Sequence, residues 1–141
     1  MKILSIKKMA LLTLFAMIGL AFMAFVMPQD QKVGGPWDIP TKYEKMENPY
    51  VDDASLIKPG KMMYSKHCKS CHGSKGLGDG SKAAQLDTFA GDFTTEEFKA
   101  QSDGLLFYKS IIGRDEMPNF EKKIPDEEDQ WAVVMYIKTL D

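Results

Sequence analysis

The sequence predicts an all-α domain of three to four short helices, preceded by an N-terminal hydrophobic helix and an irregular linker. Two observations predict this class: short segments carry apolar residues at helical spacing, and no run alternates apolar with polar residues as a half-buried strand does. The chain has 141 residues, 44% of them hydrophobic, which suffices for one ordinary folded domain. Its predicted parts are 1–27, 28–54 and 55–141.

Residues 1–27 are typical of an export segment. Lys2, Lys7 and Lys8 precede the uncharged run 9–27, and a helix of that length is about 28 Å long, close to the hydrocarbon thickness of a bilayer. No Ala-x-Ala cleavage pattern precedes Pro28, which favours a retained anchor over a cleaved signal. The leading lysines predict that the N-terminus stays in the cytoplasm and that the domain is exported, to the periplasm if the cell is bacterial. With the signal cleaved, the domain is soluble in the periplasm.

Residues 28–54 contain four prolines and the Gly34 and Gly35 pair, with no sustained helical period. This composition predicts a tether with little regular structure, which as a flexible coil spans roughly 30 Å. The segment also contains four large apolar or aromatic residues: Trp37, Ile39, Tyr43 and Tyr50. Such residues are unusual in a free linker, so an extended arm packed on the domain is an equal alternative.

Residues 55–141 carry four helical patterns, at about 58–68, 94–101, 103–112 and after Pro125. Thr94 and Glu97 have capping-box spacing, and Gly113 predicts the end of the third helix. The last helix begins with the acidic turn 126–129, which suits a helix N-terminus. A small helical domain with long glycine-rich loops generally needs a cofactor, metal or disulfide for stability.

The charge balance argues against nucleic acid as a partner. Without Lys2, Lys7 and Lys8, the remaining chain has 15 lysine and arginine residues against 20 acidic ones, a formal charge of −5. Nucleic-acid binding requires the opposite sign, because the protein must neutralise phosphates. Five lysines nevertheless flank the central motif and predict a local basic docking face: Lys58, Lys61, Lys66, Lys69 and Lys75.

The central motif HCKSCHGSKGLGDG, residues 67–80, contains the only two cysteines, Cys68 and Cys71. A thiol–disulfide site requires a cysteine at a helix N-terminus after a strand, whereas Cys68 ends a predicted helix. A zinc site requires four ligands. His67 directly precedes Cys68 and His72 directly follows Cys71, and side chains so close in the sequence complete a tetrahedron poorly. A covalent haem requires Cys-x-x-Cys-His, in which the thiols add to the porphyrin vinyl groups and His72 lies under the iron.

A haem iron in this site needs a second axial ligand from the far side. His67 is tied to Cys68 on the proximal edge and cannot reach across the ring, which leaves Met117 and Met135 beyond the motif. Met135 lies in the last predicted helix among core residues. Met117 precedes Pro118 in a loop and is therefore the predicted distal ligand.

Residues 55–141 resemble the class I, mono-haem cytochromes c, of a membrane-anchored or periplasmic bacterial type. The resemblance rests on the helix 59–68, the motif 68–73, the loop at Met117 and the closing helix 131–137. It implies a cytochrome c-like fold around one covalent haem c, with Cys68 and Cys71 as thioether ligands and His72 and Met117 on the iron. In that family the first and last helices cross closely, which fits four residues here: Gly60, Tyr64, Trp131 and Tyr136.

The sequence departs from the family pattern after Gly80, where Ser81 stands in place of a proline whose carbonyl orients the proximal histidine in many members. The acceptor for the His72 ring N–H is therefore open. The partners of the haem propionates are open too, with four candidates: Lys75, Tyr108, Arg114 and Trp131.

The resemblance implies single-electron transfer, with no catalytic residue and no small-molecule substrate, because both axial positions are filled. The predicted role is a respiratory carrier between a quinol-oxidising complex and a terminal oxidase or periplasmic reductase. A fixed haem subunit of a larger membrane oxidoreductase complex is the nearest alternative. A haem-based sensor or peroxidase, in which Met117 leaves the iron, is a third.

Overall fold

The computed structural model describes residues 34–141. The predicted hydrophobic segment 1–27 and the start of the predicted linker lie outside the described residues. Between residues 34 and 141, no helix has the length and apolar character required to cross a bilayer. The same residues are helical without any strand, in agreement with the predicted all-α class, and they include an isolated bridge between Arg114 and Met117.

The described part of the chain contains six α-helices: α1 (Thr41–Glu44), α2 (Ile57–His67), α3 (Lys69–His72), α4 (Glu96–Lys99), α5 (Asp103–Phe107) and α6 (Glu127–Ile137). Short 3₁₀ turns occupy Ala54–Leu56 and Ala83–Gln85. A π turn, Tyr108–Ile112, continues α5. The four helical patterns predicted after residue 55 correspond to α2, α4, α5 with its π turn, and α6.

The helix ends follow local capping, with one difference from the prediction. The side chain of Thr95, not that of Thr94, caps α4 by accepting a hydrogen bond from the Phe98 amide. The Thr94 hydroxyl donates instead to Asp92, at 2.7 Å, so a local side-chain turn competes with the predicted capping box. Asp126 caps α6 as the acidic turn predicted, and Gly113 ends the π turn with φ of +71°.

Helices α2 and α6 cross in the close contact that the family resemblance implied. A Cβ on Gly60 would lie 1.9 Å from the carbonyl oxygen of Ala132, so only glycine allows this approach. Next to the crossing, the rings of Tyr64 and Tyr136 lie 5.3 Å apart. The crossing holds the end of α2, and with it the central motif, against the core.

The core lies between α2, α5 and α6, and α6 is buried on most of its sides. Trp131 is fully buried and its ring lies 4.5 Å from that of Phe107 in α5. Met135 is only half-buried. Because neighbouring elements cover several faces of α6, its apolar residues do not follow a single narrow stripe.

The described part of the predicted linker, residues 34–53, is an arm packed on the domain; we call it the arm below. The ring of Tyr43 lies 6.5 Å from Phe107 and 4.7 Å from Tyr108. A Cβ on Gly104 in α5 would lie 2.1 Å from the Tyr43 carbonyl oxygen. Of the two alternatives for this segment, its described residues therefore show the packed arm and not the flexible tether.

A buried hydrogen-bond network also fastens the arm. Asn48 is 8% exposed, and its amide group donates to the Asp103 carboxylate at 3.0 Å while its oxygen accepts from the Tyr50 amide at 2.9 Å. Asp103 in turn accepts from Lys138, just beyond α6. Because the amide group and the side-chain oxygen of Asn48 both have hydrogen-bond partners, burying this side chain costs little free energy.

Candidate functional site

The Cys68–His72 segment forms one tight helical turn at the end of α2. The amides of Cys71 and His72 donate to the Cys68 carbonyl oxygen at 3.1 and 3.0 Å. Residues three and four positions apart share a helix face, so Cys68, Cys71 and His72 project from the same side of this turn. The Cys-x-x-Cys-His spacing thus places all three side chains on one face of the turn.

The glycine-rich loop after the motif folds back and fixes it. The amides of Gly78 and Gly80 donate to the carbonyl oxygens of His72 and Cys71 at 2.9 and 3.1 Å, which satisfies the free carbonyls at the end of α3. A Cβ on Gly80 would lie 2.4 Å from the Ser70 carbonyl oxygen. The Tyr64 hydroxyl donates to the Gly73 carbonyl at 2.7 Å and ties the loop to α2.

His72 is 9% exposed and is held by aromatic packing. Its ring lies 4.6 Å from that of Phe93, which stacks on Phe98 at 4.4 Å. Burial lowers the pKa of His72, and a backbone contact from Ala90 acts in the opposite direction. Its Nδ1 atom is buried and makes no hydrogen bond of ordinary geometry. The site therefore presents a neutral imidazole, the form that binds a metal.

The cysteines do not have the properties of a redox dithiol. Both are free, Cys68 buried and Cys71 half-buried. Burial, followed by the nearby Cys71, raises the pKa of the Cys68 thiol to about 12, whereas a reactive thiol needs a lowered pKa. Within residues 34–141, no group of three or more His, Cys, Asp or Glu side chains is arranged to hold a metal ion, so the zinc alternative has no ligand set there.

All four predicted site residues, Cys68, Cys71, His72 and Met117, line one cavity of about 680 Å³. This volume falls in the range of cofactor pockets, roughly 300–1,000 Å³. The walls include five apolar side chains: Leu86, Phe89, Phe93, Phe98 and Leu106. Met135, the other methionine beyond the motif, does not line it.

His67 also lines this cavity, which the sequence analysis did not anticipate. Its Nε2 atom is buried without a hydrogen bond, and its ring packs edge-on against Phe120 at 5.8 Å. Burial, followed by Lys66 and Lys123, lowers its pKa. The residue is the last of α2 and directly precedes Cys68.

Met117 ends a tight turn, residues 113–118, which we call the Met117 turn. Its amide donates to the Arg114 carbonyl at 2.8 Å, and Asp115 between them adopts a left-handed φ of 49°. The Glu116 carboxylate accepts hydrogen bonds from the Thr88 amide and hydroxyl at 3.0 and 2.9 Å, and from the Asp87 amide at 3.0 Å. These bonds lower the pKa of Glu116.

Five basic residues line the cavity: Lys66, Lys82, Lys109, Arg114 and Lys123. Arg114 and Lys109 both line the cavity, and the one carboxylate near Arg114 is that of Asp115, at 3.8 Å, whose side chain is 85% exposed. Burial, followed by Arg114, lowers the pKa of Lys109. Of the predicted propionate partners only Arg114 lines the cavity, and Tyr108, Trp131 and Lys75 do not.

Nothing in the sequence predicted that Lys109 and Phe93 line the cavity. Lys109 lies inside a predicted helix, where a lysine is usually solvated, and its polar neighbours in the sequence gave no signal. Phe93 lies in a stretch assigned as loop. One irregularity could have drawn attention to this stretch. Phe93 and Phe98 are five residues apart, a spacing that places them neither on one face of a helix nor on one face of a strand.

The residues of the cavity fit a haem. Haem presents a flat apolar ring, which suits the apolar side chains of the cavity wall, and two carboxylates, which suit basic side chains of the wall such as Lys109. It presents an iron that takes nitrogen and sulfur ligands, which suits the imidazole of His72 and the thioether of Met117. Two thiols on the same helical turn as His72 complete the set.

Comparison with known proteins gives one family. Residues 55–137 match the family model described as cytochrome c oxidase, cbb3-type, subunit III. Among curated proteins, none is similar enough to match. The match covers more than half of the chain and indicates a mono-haem c-type cytochrome domain, which implies a haem c cofactor and redox protein partners. The chain therefore belongs to the cbb3-type cytochrome c oxidase subunit III family, as a c-type cytochrome domain consistent with class I.

Proposed function

We propose that this protein transfers single electrons through one covalent haem c, attached by Cys68 and Cys71 and ligated at the iron by His72 and Met117. The observation that supports this most directly is that these four side chains, from two segments far apart in the sequence, line one cavity. A haem bound there supplies a one-electron couple at its iron. With His72 and Met117 both bound, the iron would have no position left for a substrate.

The residues of the chain serve this function in distinct ways. Burial keeps His72 neutral, and Phe93 holds its ring in place at 4.6 Å. The apolar side chains of the wall exclude water from the cavity. Fewer water molecules then have to reorient when the charge of the iron changes. Basic side chains of the wall, such as Lys109, would pair with the haem carboxylates, whose charge would otherwise be costly beside apolar walls.

A spectrum of the purified holoprotein tests the ligand set. We expect a weak red methionine-to-ferric-iron band and no shift of the reduced spectrum with carbon monoxide. Met117→Ala removes the band and opens the reduced iron to carbon monoxide. Met135→Leu, at a half-buried position outside the cavity, is the matched control and keeps both properties. Ready carbon monoxide binding by the wild type would exclude the carrier and favour a sensor or peroxidase.

We propose a basic docking face on α2 for an acidic redox partner. Lys58, Lys61 and Lys66 line an open surface groove together with Met62, which is 61% exposed. Lys66 also lines the haem cavity, so a partner that binds the groove reaches the cavity edge. Of the other predicted lysines, Lys69 and Lys75 line neither.

Salt dependence of electron transfer tests this face. Lys61→Glu should slow electron transfer to an acidic partner several-fold at low salt, because electrostatic steering acts on the association rate. The difference should disappear at high salt, where charges are screened. Lys42→Glu, on the exposed side of the arm, is the control. Equal rates for both variants would rule out the face.

We place the domain on the periplasmic side of a bacterial inner membrane, carried there by residues 1–27. The proposed role is a respiratory carrier between a quinol-oxidising complex and a terminal oxidase or periplasmic reductase. The charge pattern of residues 1–27 supports this proposal. Membrane fractionation and N-terminal sequencing of the mature protein distinguish a retained anchor from a cleaved signal.

A fixed haem subunit of a larger membrane oxidoreductase complex is the second candidate. It is favoured by the arm, since residues packed on the domain cannot act as a long flexible tether, and by the name of the matching family, an oxidase subunit. Purification in mild detergent tests it. A stoichiometric complex supports the subunit, and a free monomer supports the carrier.

A further inference from the structure

The first described residues of the arm, 34–37, lie beside the Met117 turn. The family match begins at residue 55, so these residues lie outside it. Gly34, Gly35 and Trp37 nevertheless line the same cavity as the predicted haem ligands. The arm therefore contributes residues to the wall of this cavity, although all four predicted haem ligands lie within the matched residues 55–137.

Arg114 makes the connection between the arm and the turn. Its guanidinium donates one hydrogen bond to the carbonyl of Gly35 and another to that of Pro36. Its charged carbon also lies 4.2 Å from the centre of the Trp37 ring. A planar guanidinium makes all three contacts at once, whereas a lysine ammonium would lose the paired geometry.

Trp37 is fixed from its other sides as well. Its ring meets that of Tyr108 edge-on at 6.3 Å, and Lys109 lies 5.8 Å from the ring centre. The side chain is half-buried although its three preceding neighbours are exposed. Trp37 is thus the residue that anchors an otherwise exposed segment.

Arg114 also contacts Met117 directly. Besides holding the arm through its side chain, Arg114 accepts the Met117 amide through its backbone, and the two residues form the isolated bridge. Within this turn a Cβ on Gly113 would lie 2.2 Å from the Met117 carbonyl oxygen. In so tightly packed a turn, displacement of Arg114 displaces Met117.

We propose that Gly35, Pro36 and Trp37 form a latch, with Arg114 as its partner, that holds the Met117 turn against the cavity and keeps the methionine sulfur at the iron. These are positioning residues, since they act through the turn. Glu116 holds the turn from its other side through residues 87–88. This inference rests on the proposed role of Met117.

Two measurements on the full-length holoprotein test the latch. Hydrogen exchange, read by mass spectrometry, reports opening of residues 113–118 whatever ligates the iron. Carbon monoxide binding to the reduced form reports the fraction of molecules in which the distal position is open. We expect Arg114→Ala, which removes two charge-assisted hydrogen bonds and the ring contact, to raise both rates about tenfold. Trp37→Ala removes the side chain that anchors the segment and should raise both rates by a similar factor.

The double variant and two controls complete the experiment. Trp37→Ala with Arg114→Ala should add little to either single change, because both open the same latch. Trp37→Phe retains a ring for Arg114 and should restore most of the wild-type behaviour. Val51→Ser, at a 63% exposed position of the arm, should change nothing.

The outcomes separate the latch from the function it rests on. Wild-type exchange rates in both single alanine variants would overturn the latch, whatever their spectra. Additive effects in the double variant would also overturn it, since independent contacts would then be involved. If the wild type itself binds carbon monoxide at once, the proposed ligation by Met117 fails, and the latch then holds the turn but no ligand.

Discussion

Replacing Gly60 by alanine tests the close crossing of α2 and α6 that supports the site. The added Cβ would lie 1.9 Å from the carbonyl oxygen of Ala132, 2.6 Å from its carbonyl carbon and 2.9 Å from the Tyr136 Cβ. The nearest two atoms are backbone and cannot rotate away. The helices must therefore separate, which loosens the packing on both sides of the crossing.

The expected loss of stability follows from two opposing effects. Alanine favours the helix by about 1 kcal/mol over glycine. Overpacking a core costs about 1–3 kcal/mol, and a collision with backbone belongs at the upper end. The net loss is then about 2 kcal/mol, which lowers the melting temperature of a domain of this size by about 10 °C.

Thermal unfolding of the holoprotein, followed by far-UV circular dichroism, measures this loss. Ser65→Ala is the matched control, since Ser65 is exposed on the same helix, and its stability should stay within about 0.5 kcal/mol of the wild type. If Gly60→Ala melts within about 2 °C of the wild type, the helices do not approach as closely as the structure shows.

Three further variants test how the arm and the motif are held. Asn48→Ala should lower the free energy of unfolding by about 1–3 kcal/mol in a urea titration, since the Tyr50 amide and one Asp103 oxygen lose the hydrogen bond that Asn48 makes to each; an unchanged midpoint would contradict the network. Tyr64→Phe removes the hydrogen bond to Gly73 and should cost about 1–2 kcal/mol by the same measurement; a neutral result would mean that water replaces it. Gly104→Ala should detach the arm, seen as faster hydrogen exchange in residues 41–50, and unaltered exchange there would refute the contact.

Local sequence was sufficient for much of the fold. Helix α2 begins and ends within one residue of its predicted bounds, because its apolar residues recur at helical spacing, and α6 begins two residues after Pro125, because Asp126 caps it. The motif Cys68–His72 was readable for the same reason. Its five residues form a single turn, so their spacing alone places three functional side chains on one face.

The wall of the site was much less readable. Lys109 and Phe93 line the cavity, yet neither stands in a pattern that distinguishes it from a solvated lysine or a loop phenylalanine. Their role depends on which segments meet around the cavity. Among four equally placed candidates for the haem carboxylates, only Arg114 lines it, and nothing in the residue types separated it from Lys75 or Tyr108.

The arm shows the same division most clearly. By itself the sequence determined that residues 28–54 contain both linker residues and aromatic ones, and that a haem motif and a distant methionine are present. Whether the arm packs depends on pairs such as Asn48 with Asp103, 55 residues apart, and Pro36 with Arg114, 78 residues apart. Helix caps and turns depend on neighbours within four or five residues, whereas these pairs form only after the chain has folded and brought complementary groups together.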